Sequence, residues 1–201
     1  MGTQTSSPTF TEKDVEVLIK TSGKTETEIR QWYDDFHAET GQTGRMNKRQ
    51  FKQYYSRLRN KSNLDPLTDH IFRAFDTDNS GRSFFCRFSQ FYSYPLGTIE
   101  FPEFLIAFIA TTDRSTHQKL EYAFEVYDIN DDQCIQKKEV EKILSIVCRL
   151  LGFSEEETQA YIYTMMLSFD ANRDKVLTKS EFIEGCLHDP SLGKLSNPFE
   201  L

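Results

Sequence analysis

The stretch from Asp128 to Glu139 reads DINDDQCIQKKE, and the stretch from Asp170 to Glu181 reads DANRDKVLTKSE. Each places Asp, Asn and Asp at positions 1, 3 and 5, an apolar residue at position 8 and Glu at position 12. Calcium is a hard cation that takes about six to eight oxygen ligands, and a loop with oxygen donors at positions 1, 3, 5, 7, 9 and 12 supplies them. Both stretches are therefore predicted to be calcium loops, each lying between two amphipathic helices.

Both loops depart from the usual pattern at position 6, where Gln133 and Lys175 replace the glycine that favours a left-handed backbone. A side chain in that conformation costs roughly 1–2 kcal/mol, so we expect calcium binding that is weakened but retained. The alternative is a structural loop with solvated acids. Position 7 contributes a backbone carbonyl, and the predicted ligands are Asp128, Asn130, Asp132, Cys134, Gln136, Glu139, Asp170, Asn172, Asp174, Val176, Thr178 and Glu181.

A second copy of the unit is interrupted. It begins as DTDNSG at Asp76 and resumes as TIEFPE at Thr98, so we interpret residues 82–97 as an insertion between positions 6 and 7. Two origins are open for this Phe- and Tyr-rich segment: a surface loop that docks a partner or covers a groove, or translated non-coding sequence from a retained intron. Closing this segment into a loop costs about 2.5 kcal/mol, which would weaken calcium binding at the site without abolishing it. The predicted ligands are Asp76, Asp78, Ser80, Thr98, Glu100 and Glu103.

The first copy is predicted to be structural and to bind no calcium. Its loop, from Glu39 to Gln50, reads ETGQTGRMNKRQ and keeps the expected residue types at positions 6 and 8, with Gly44 and Met46. Position 12 is an amide, however, and Glu39 is the one carboxylate of the loop, which is too little charge to hold the ion.

Composition excludes several classes of function. The chain of 201 residues has a net charge of −7, so it lacks the basic footprint of a nucleic-acid-binding protein. Its four cysteines show no C-x-x-C spacing, which favours reduced thiols. No paired-histidine metal motif, phosphate-binding glycine loop or nucleophile motif is present, so we expect no enzyme activity. The start MGTQTS matches the acceptor pattern for N-myristoylation of Gly2; an ordinary frayed terminus is the alternative.

These features together resemble the neuronal calcium sensor family, the recoverin- and frequenin-like EF-hand proteins. The resemblance rests on the MGxxxS start, the QWY-x-x-F helix at 31–36, the disabled first hand and the three ligand-bearing hands. It implies an all-α fold of four EF-hands in two paired lobes, with short antiparallel β pairing between loops. The implied domains are 1–24, a myristoylatable segment and first helix; 25–112, the N-terminal pair of hands; 113–187, the C-terminal pair; and 188–201, a tail.

The resemblance also implies a groove that binds a target protein and an association with a membrane. Aromatic residues of the N-terminal lobe would bind an amphipathic helix of a target protein of the kinase, channel, receptor or cyclase class; taken alone, their helical spacing indicates core. We expect a cytoplasmic protein that associates reversibly with the inner leaflet as a lipoprotein. The predicted groove residues are Trp32, Tyr33, Phe36, Phe51, Tyr55, Phe72, Phe75, Phe101 and Phe104.

A basic stretch is hidden within the acidic chain. Residues 41–64 contain seven basic residues and no acid, and basic residues near an anionic leaflet contribute about 1 kcal/mol each. One myristoyl chain binds membranes only marginally, so we interpret a stripe formed by Lys48, Arg49, Lys52 and Arg59 as a second membrane signal, with a merely solvated helix face as the alternative.

Three functions stay open. The first is a calcium sensor that exposes an apolar groove and its lipid when calcium binds. The others are a passive calcium buffer and a calcium-independent adaptor, such as a calcineurin-B-like regulatory subunit.

Overall fold

The computed structural model describes residues 10–41, 43–59, 65–76 and 97–200. The predicted lipid acceptor Gly2, the predicted ligands Asp78 and Ser80, and all of the 82–97 insertion except its last residue lie outside these ranges.

The described residues form ten α-helices and four strands of three residues each, which confirms the all-α fold with short antiparallel strand pairs. The elements are α1 (Glu12–Ser22), α2 (Glu26–Glu39), β1 (Arg45–Asn47), α3 (Lys48–Leu58), α4 (Asp65–Phe75), β2 (Thr98–Glu100), α5 (Phe101–Thr112), α6 (Thr116–Tyr127), β3 (Cys134–Gln136), α7 (Lys137–Leu151), α8 (Glu155–Phe169), β4 (Val176–Thr178), α9 (Lys179–His188) and α10 (Pro190–Ser196).

Local sequence signals fix where many of these helices begin. The hydroxyls of Thr25 and Ser154 accept hydrogen bonds from backbone N–H groups three residues ahead, and the Glu at that position bonds back to the cap N–H. These reciprocal bonds satisfy donors that the first helical turn leaves unpaired. Ser115 caps α6 with its hydroxyl in the same way. A left-handed Gly152 ends α7, a conformation that glycine adopts without steric cost.

The strands join the loops in pairs. β1 pairs antiparallel with β2, and β3 with β4. Position 8 of one loop faces position 8 of its neighbour in both pairs: Met46 opposite Ile99, and Ile135 opposite Leu177. All four side chains are fully buried. If residues 82–97 are an insertion between positions 6 and 7, then Ile99 is position 8 of the second loop. The pairing of Ile99 with Met46, which is position 8 of the first loop, agrees with this interpretation.

The chain divides into two compact units. The described residues within 1–60 and 75–109 form the first, and those within 61–74 and 110–201 form the second. Most of α4 therefore belongs to the second unit, while Phe75 and Asp76 belong to the first.

Each unit has its own apolar core. Aromatic side chains dominate the first, with Phe36, Phe51 and Phe104 fully buried. In the second, α10 packs against α7 and α9. Leu192 and Leu195 of this helix are buried, as is Phe199 just beyond it. The predicted tail thus contributes to a core. Among the described residues, no helix is long and apolar enough to cross a membrane.

Candidate metal centre

In the third loop, the side chains at positions 1, 3 and 5 form hydrogen bonds with the backbone of the loop and with one another. The Asp128 carboxylate, which is only 1% exposed, accepts hydrogen bonds from the N–H groups of Asp132 (3.1 Å) and Gln133 (2.9 Å). Asn130 donates its side-chain amide to Asp132 (2.9 Å) and accepts from the Asp132 N–H through its own oxygen (3.2 Å). Positions 1, 3 and 5 are therefore held together by bonds within the loop.

Glu139 closes the loop from the far end. One of its carboxylate oxygens accepts from the N–H groups of Ile129 (2.8 Å) and Asn130 (3.2 Å), and the other accepts from Gln136 N–H (2.8 Å). The residue at position 12, which lies in the first turn of α7, thus accepts hydrogen bonds from the backbone of positions 2, 3 and 9.

The fourth loop repeats this arrangement. Asp170 accepts from the N–H groups of Asp174 (3.1 Å) and Lys175 (2.9 Å), and Asn172 donates to Asp174 (2.9 Å). Glu181 accepts from the N–H of Thr178 at 2.9 Å and from its hydroxyl at 2.8 Å. Two independent sequences that reach one geometry indicate that the spacing of the acids determines the loop.

Backbone strain lies where it was predicted and also two residues earlier. Gln133 and Lys175 at position 6 have φ of 70° and 73°, and Asp131 and Arg173 at position 4 have φ of 56° and 61°. The left-handed region disfavours side chains, although Asp adopts it more readily than most residues. The sequence pattern had pointed only to position 6.

The pKa values of the loop carboxylates move in opposite directions. Burial raises the pKa of Asp128 above its ordinary value, against the opposing effect of its two backbone N–H bonds. The amide of Asn130 lowers the pKa of Asp132, and the Thr178 N–H bond lowers the pKa of Glu181.

The two loops offer only oxygen atoms as metal ligands. The side chains at positions 1, 3, 5, 9 and 12 offer oxygens of carboxylates, amides and a hydroxyl, and position 7 offers a backbone carbonyl. A hard divalent cation prefers this set of ligands.

The second loop is described in part. Asp76 is 7% exposed and directly follows α4. Glu103 accepts from Glu100 N–H at 2.9 Å, which is the bond that position 12 makes to position 9 in the third and fourth loops. Thr98 lies in β2, so the second half of this loop has the geometry of the intact hands.

The first loop is closed by groups that need no ion. Gln50 at position 12 accepts from Asn47 N–H (3.0 Å) and donates its amide to the Glu39 carbonyl (3.1 Å). The Arg57 guanidinium forms an ion pair with the Glu39 carboxylate. Neutral and internally paired groups thus stand at the positions of metal ligands, which supports the prediction of a structural hand.

Seven of the nine predicted groove residues are buried core. Phe36, Phe51, Tyr55, Phe75, Phe101 and Phe104 are buried in the first unit, and Phe72 is buried in the second. Trp32 and Tyr33 are partly exposed. Trp32 packs against Phe104 and Phe108, with ring centroids 6.4 and 5.1 Å apart.

The predicted basic stripe lies on and just beyond α3. Lys48 and Arg49 are exposed, whereas Lys52 and Arg59 are partly buried. The opposite face of the helix is buried through Phe51, Tyr54 and Tyr55.

Sequence reasoning missed two cations at the third loop. Arg73 on α4 donates to the carbonyls of Glu125 and Val126, in the last turn of α6. Lys179, at position 10 of the fourth loop, pairs with the Glu125 carboxylate at 2.7 Å. The available signal was a basic residue next to apolar residues in each of two stretches, Arg73 in IFRAF and Lys179 in VLTK.

The sequence is similar to those of known proteins. Residues 117–187 match an EF-hand domain pair. The chain is 27% identical to S-modulin of Aquarana catesbeiana over 199 residues, which is 95% of this chain and 90% of that protein. It is 30% identical to recoverin of Homo sapiens over 178 residues, or 85% of this chain and 80% of recoverin.

The chain belongs to the recoverin family of neuronal calcium sensors. Its cofactor is therefore Ca²⁺, and its role is that of a calcium sensor rather than an enzyme. Within this recoverin-family protein, the third and fourth loops have complete sets of donors, and they lie inside the matched EF-hand pair.

Proposed function

We propose that calcium binding converts this protein from a closed form into one that exposes an apolar groove and an N-terminal lipid, and that it then engages an amphipathic helix of a membrane-associated target. The observation that carries the proposal is the aromatic core of the first unit. Its rings come from α2, α3, α5 and the end of α4, the four helices that flank the first two loops.

Phe104 lies at the centre of this core. Its ring centroid is 5.6 Å from that of Phe36 on α2, 5.3 Å from Tyr54 on α3 and 6.3 Å from Phe75 on α4. Because these partners sit on different helices, a change in the angles between helices separates the rings and exposes them to solvent. Calcium opens the hands of sensor proteins in this way, whereas buffer hands barely open.

Trp32 is a built-in reporter for this transition, because it is the single tryptophan of the chain and packs against Phe104 and Phe108. We expect calcium to change its emission and to increase the binding of a hydrophobic dye. The control is E103Q/E139Q/E181Q, which removes the position 12 carboxylate from the three ligand-bearing hands and should remove both responses.

The result separates the three functional classes. Calcium binding measured by calorimetry without a change in dye binding would identify a buffer. Capture of an amphipathic target helix that is equally strong with calcium chelated would identify a calcium-independent adaptor. Either outcome would contradict the proposal.

We further propose that a myristoyl group on Gly2 and the basic stripe of Lys48, Arg49, Lys52 and Arg59 together bind an anionic inner leaflet. The two exposed members, Lys48 and Arg49, stand in the first turn of α3, opposite its buried aromatic face. Since a single acyl chain binds only marginally, a second signal determines residence on the membrane.

The test compares two triple variants of the lipidated protein on vesicles that contain phosphatidylserine. K48Q/R49Q/K52Q should weaken binding. K142Q/R149Q/K194Q removes the same charge from exposed positions of the second unit outside its calcium loops and should not. Equal effects of the two variants would show that net charge, not the stripe, governs the interaction.

A further inference from the structure

Arg73 is a cation placed where burial disfavours it. Its side chain is partly buried, its Nε has no hydrogen-bond partner among the described residues, and burial lowers its pKa. The acids that oppose this shift are Asp128, Glu125, Asp131 and Glu139, all at the end of α6 or in the third loop. A buried charge persists only where specific partners compensate for its lost hydration.

Those partners are backbone carbonyls in the last turn of α6. The last four carbonyls of a helix lack intrahelical donors. In α6, the Asp128 N–H bonds to the Phe124 carbonyl (2.9 Å), and Nη2 of Arg73 donates to the carbonyls of Glu125 (2.5 Å) and Val126 (3.1 Å). A cation at a helix C-terminus is also favoured by the helix dipole.

The fourth loop provides an internal comparison. Its entering helix, α8, ends at Phe169, and the carbonyls equivalent to those held by Arg73 are those of Leu167 and Ser168. They receive no side-chain donor among the described residues. The hydrogen bond from Asp170 N–H to the Met166 carbonyl is 3.4 Å long, against 2.9 Å for its counterpart in the third hand. The last turn of α6 is therefore the more firmly held of the two.

We propose that Arg73 is a positioning residue of the third calcium loop. It fixes the last turn of α6, and thereby the backbone from which Asp128 projects the position 1 carboxylate. The two oxygens of that carboxylate are already oriented by the N–H groups of Asp132 and Gln133, so a shift at the end of α6 disturbs the whole ligand set. The proposal rests on the assignment of this loop as a calcium site.

The test measures calcium affinity at the third loop of the full chain. The background is E181Q, which removes the position 12 ligand of the fourth loop, and the signal is the backbone amide resonance of Gln133 during a calcium titration. We expect R73M to raise the calcium concentration at the midpoint about tenfold, equivalent to roughly 1.4 kcal/mol. R73K and R73Q, which retain a donor, should lie between R73M and the E181Q parent.

R149M is the matched control, because Arg149 is an exposed arginine on α7 of the same unit. It should leave the midpoint unchanged. Amide spectra recorded without calcium establish whether each variant is folded. If R73M does not fold, the midpoints of R73K and R73Q decide the test.

Three results would overturn the proposal. An unchanged midpoint in R73M would show that the contact does not position the loop. A lower midpoint would show that the arginine acts as a charge that repels calcium. An equal shift in R149M would show a general effect of lost positive charge. If calcium does not move the Gln133 signal in the E181Q parent, the calcium assignment itself falls.

Discussion

At the level of single residues, position 6 of the calcium loops holds side chains in a backbone conformation that suits glycine. Gln133 and Lys175 have φ of 70° and 73°. Their N–H groups nonetheless donate to the position 1 carboxylates, at 2.9 Å in both loops. The chain therefore keeps the hydrogen bond that the turn provides and accepts the strain of the side chain.

We predict that Q133G and K175G each raise calcium affinity about two- to fivefold. Glycine relieves roughly 1–2 kcal/mol of left-handed strain, and its greater freedom in the calcium-free loop offsets about 0.5–1 kcal/mol of that gain. Calorimetric titration of the full chain measures the change. Unchanged affinity in both variants would show that the strain is relieved elsewhere in the loop.

The reverse substitution in the first loop is the control. Gly44 has φ of 70°, and an added Cβ would meet only the His37 ring, at an ordinary contact distance of 3.8 Å. G44A should therefore lower the free energy of unfolding by about 1 kcal/mol through backbone strain alone. Since the first hand is predicted to bind no calcium, calcium should not alter this difference.

At the level of elements, the turn between β4 and α9 joins a helix cap to Glu181, a predicted metal ligand. Thr178 caps α9 by accepting from Glu181 N–H, and its hydroxyl donates to the Glu181 carboxylate. The Thr178 N–H bond to this carboxylate and then the hydroxyl bond lower the pKa of Glu181 below its ordinary value of 4.5. A carboxyl whose pKa is lowered by folding stabilises the protein above its unfolded pKa, and this stabilisation is lost as the pH falls through the folded pKa.

We predict that T178A lowers the free energy of unfolding by about 1 kcal/mol at neutral pH through loss of the cap. The difference from the parent should shrink as the pH falls below about 4.5, because the bond from the hydroxyl to the charged carboxylate is then lost in both proteins. Urea denaturation at several pH values measures it. T164A removes an exposed hydroxyl from the middle of α8, so its effect should not vary with pH.

The docking of α10 gives a second prediction at this scale. A Cβ on Gly193 would lie 2.2 Å from the backbone carbonyl oxygen of Cys186, too close for α10 to keep its position on α9. G193A should lower the free energy of unfolding by about 1–3 kcal/mol, as measured by urea denaturation. S191A, on the exposed side of the same helix, should change it little; equal stability of the two variants would contradict the prediction.

The sequence predicted the features that depend on near neighbours. The acids of the third and fourth loops, for example, lie within a dozen positions of one another in each loop. It did not predict contacts between distant segments, such as Arg73 with the end of α6 or Arg57 with Glu39. It also treated 188–201 as a tail, because burial of Leu192 and Leu195 depends on the surface that α7 and α9 form only after folding.

At the level of the whole molecule, the charge is unevenly distributed. Residues 41–64 contain seven basic residues and no acid, so this stretch has a charge of +7. Because the whole chain has a net charge of −7, the remaining residues together have a net charge of −14. Much of that negative charge lies in the calcium loops, and each bound ion neutralises two charges of it. Calcium therefore reduces the acidic excess and leaves the basic stripe of α3 unchanged.

Deletion of residues 82–97 is the prediction at this scale. It would join the two halves of the second loop as DTDNSGTIEFPE, with Gly at position 6 and Glu at position 12. Removal of a loop closure worth about 2.5 kcal/mol should raise affinity at this site on the order of a hundredfold. Calorimetry of the full chain and the deletion variant compares number of sites and affinity; equal values would contradict the prediction.

The pairing of Met46 with Ile99 bears on how such a protein evolves. A hand that has lost its ion would be expected to decay, since selection no longer acts on its ligands. Here the first loop supplies the partner strand of the second, so a deletion that removed it would leave Thr98–Glu100 without a neighbour. Selection can therefore retain the first hand because the second hand depends on it. Substitutions in the first loop are then tolerated when they preserve strand β1, even if they remove metal ligands.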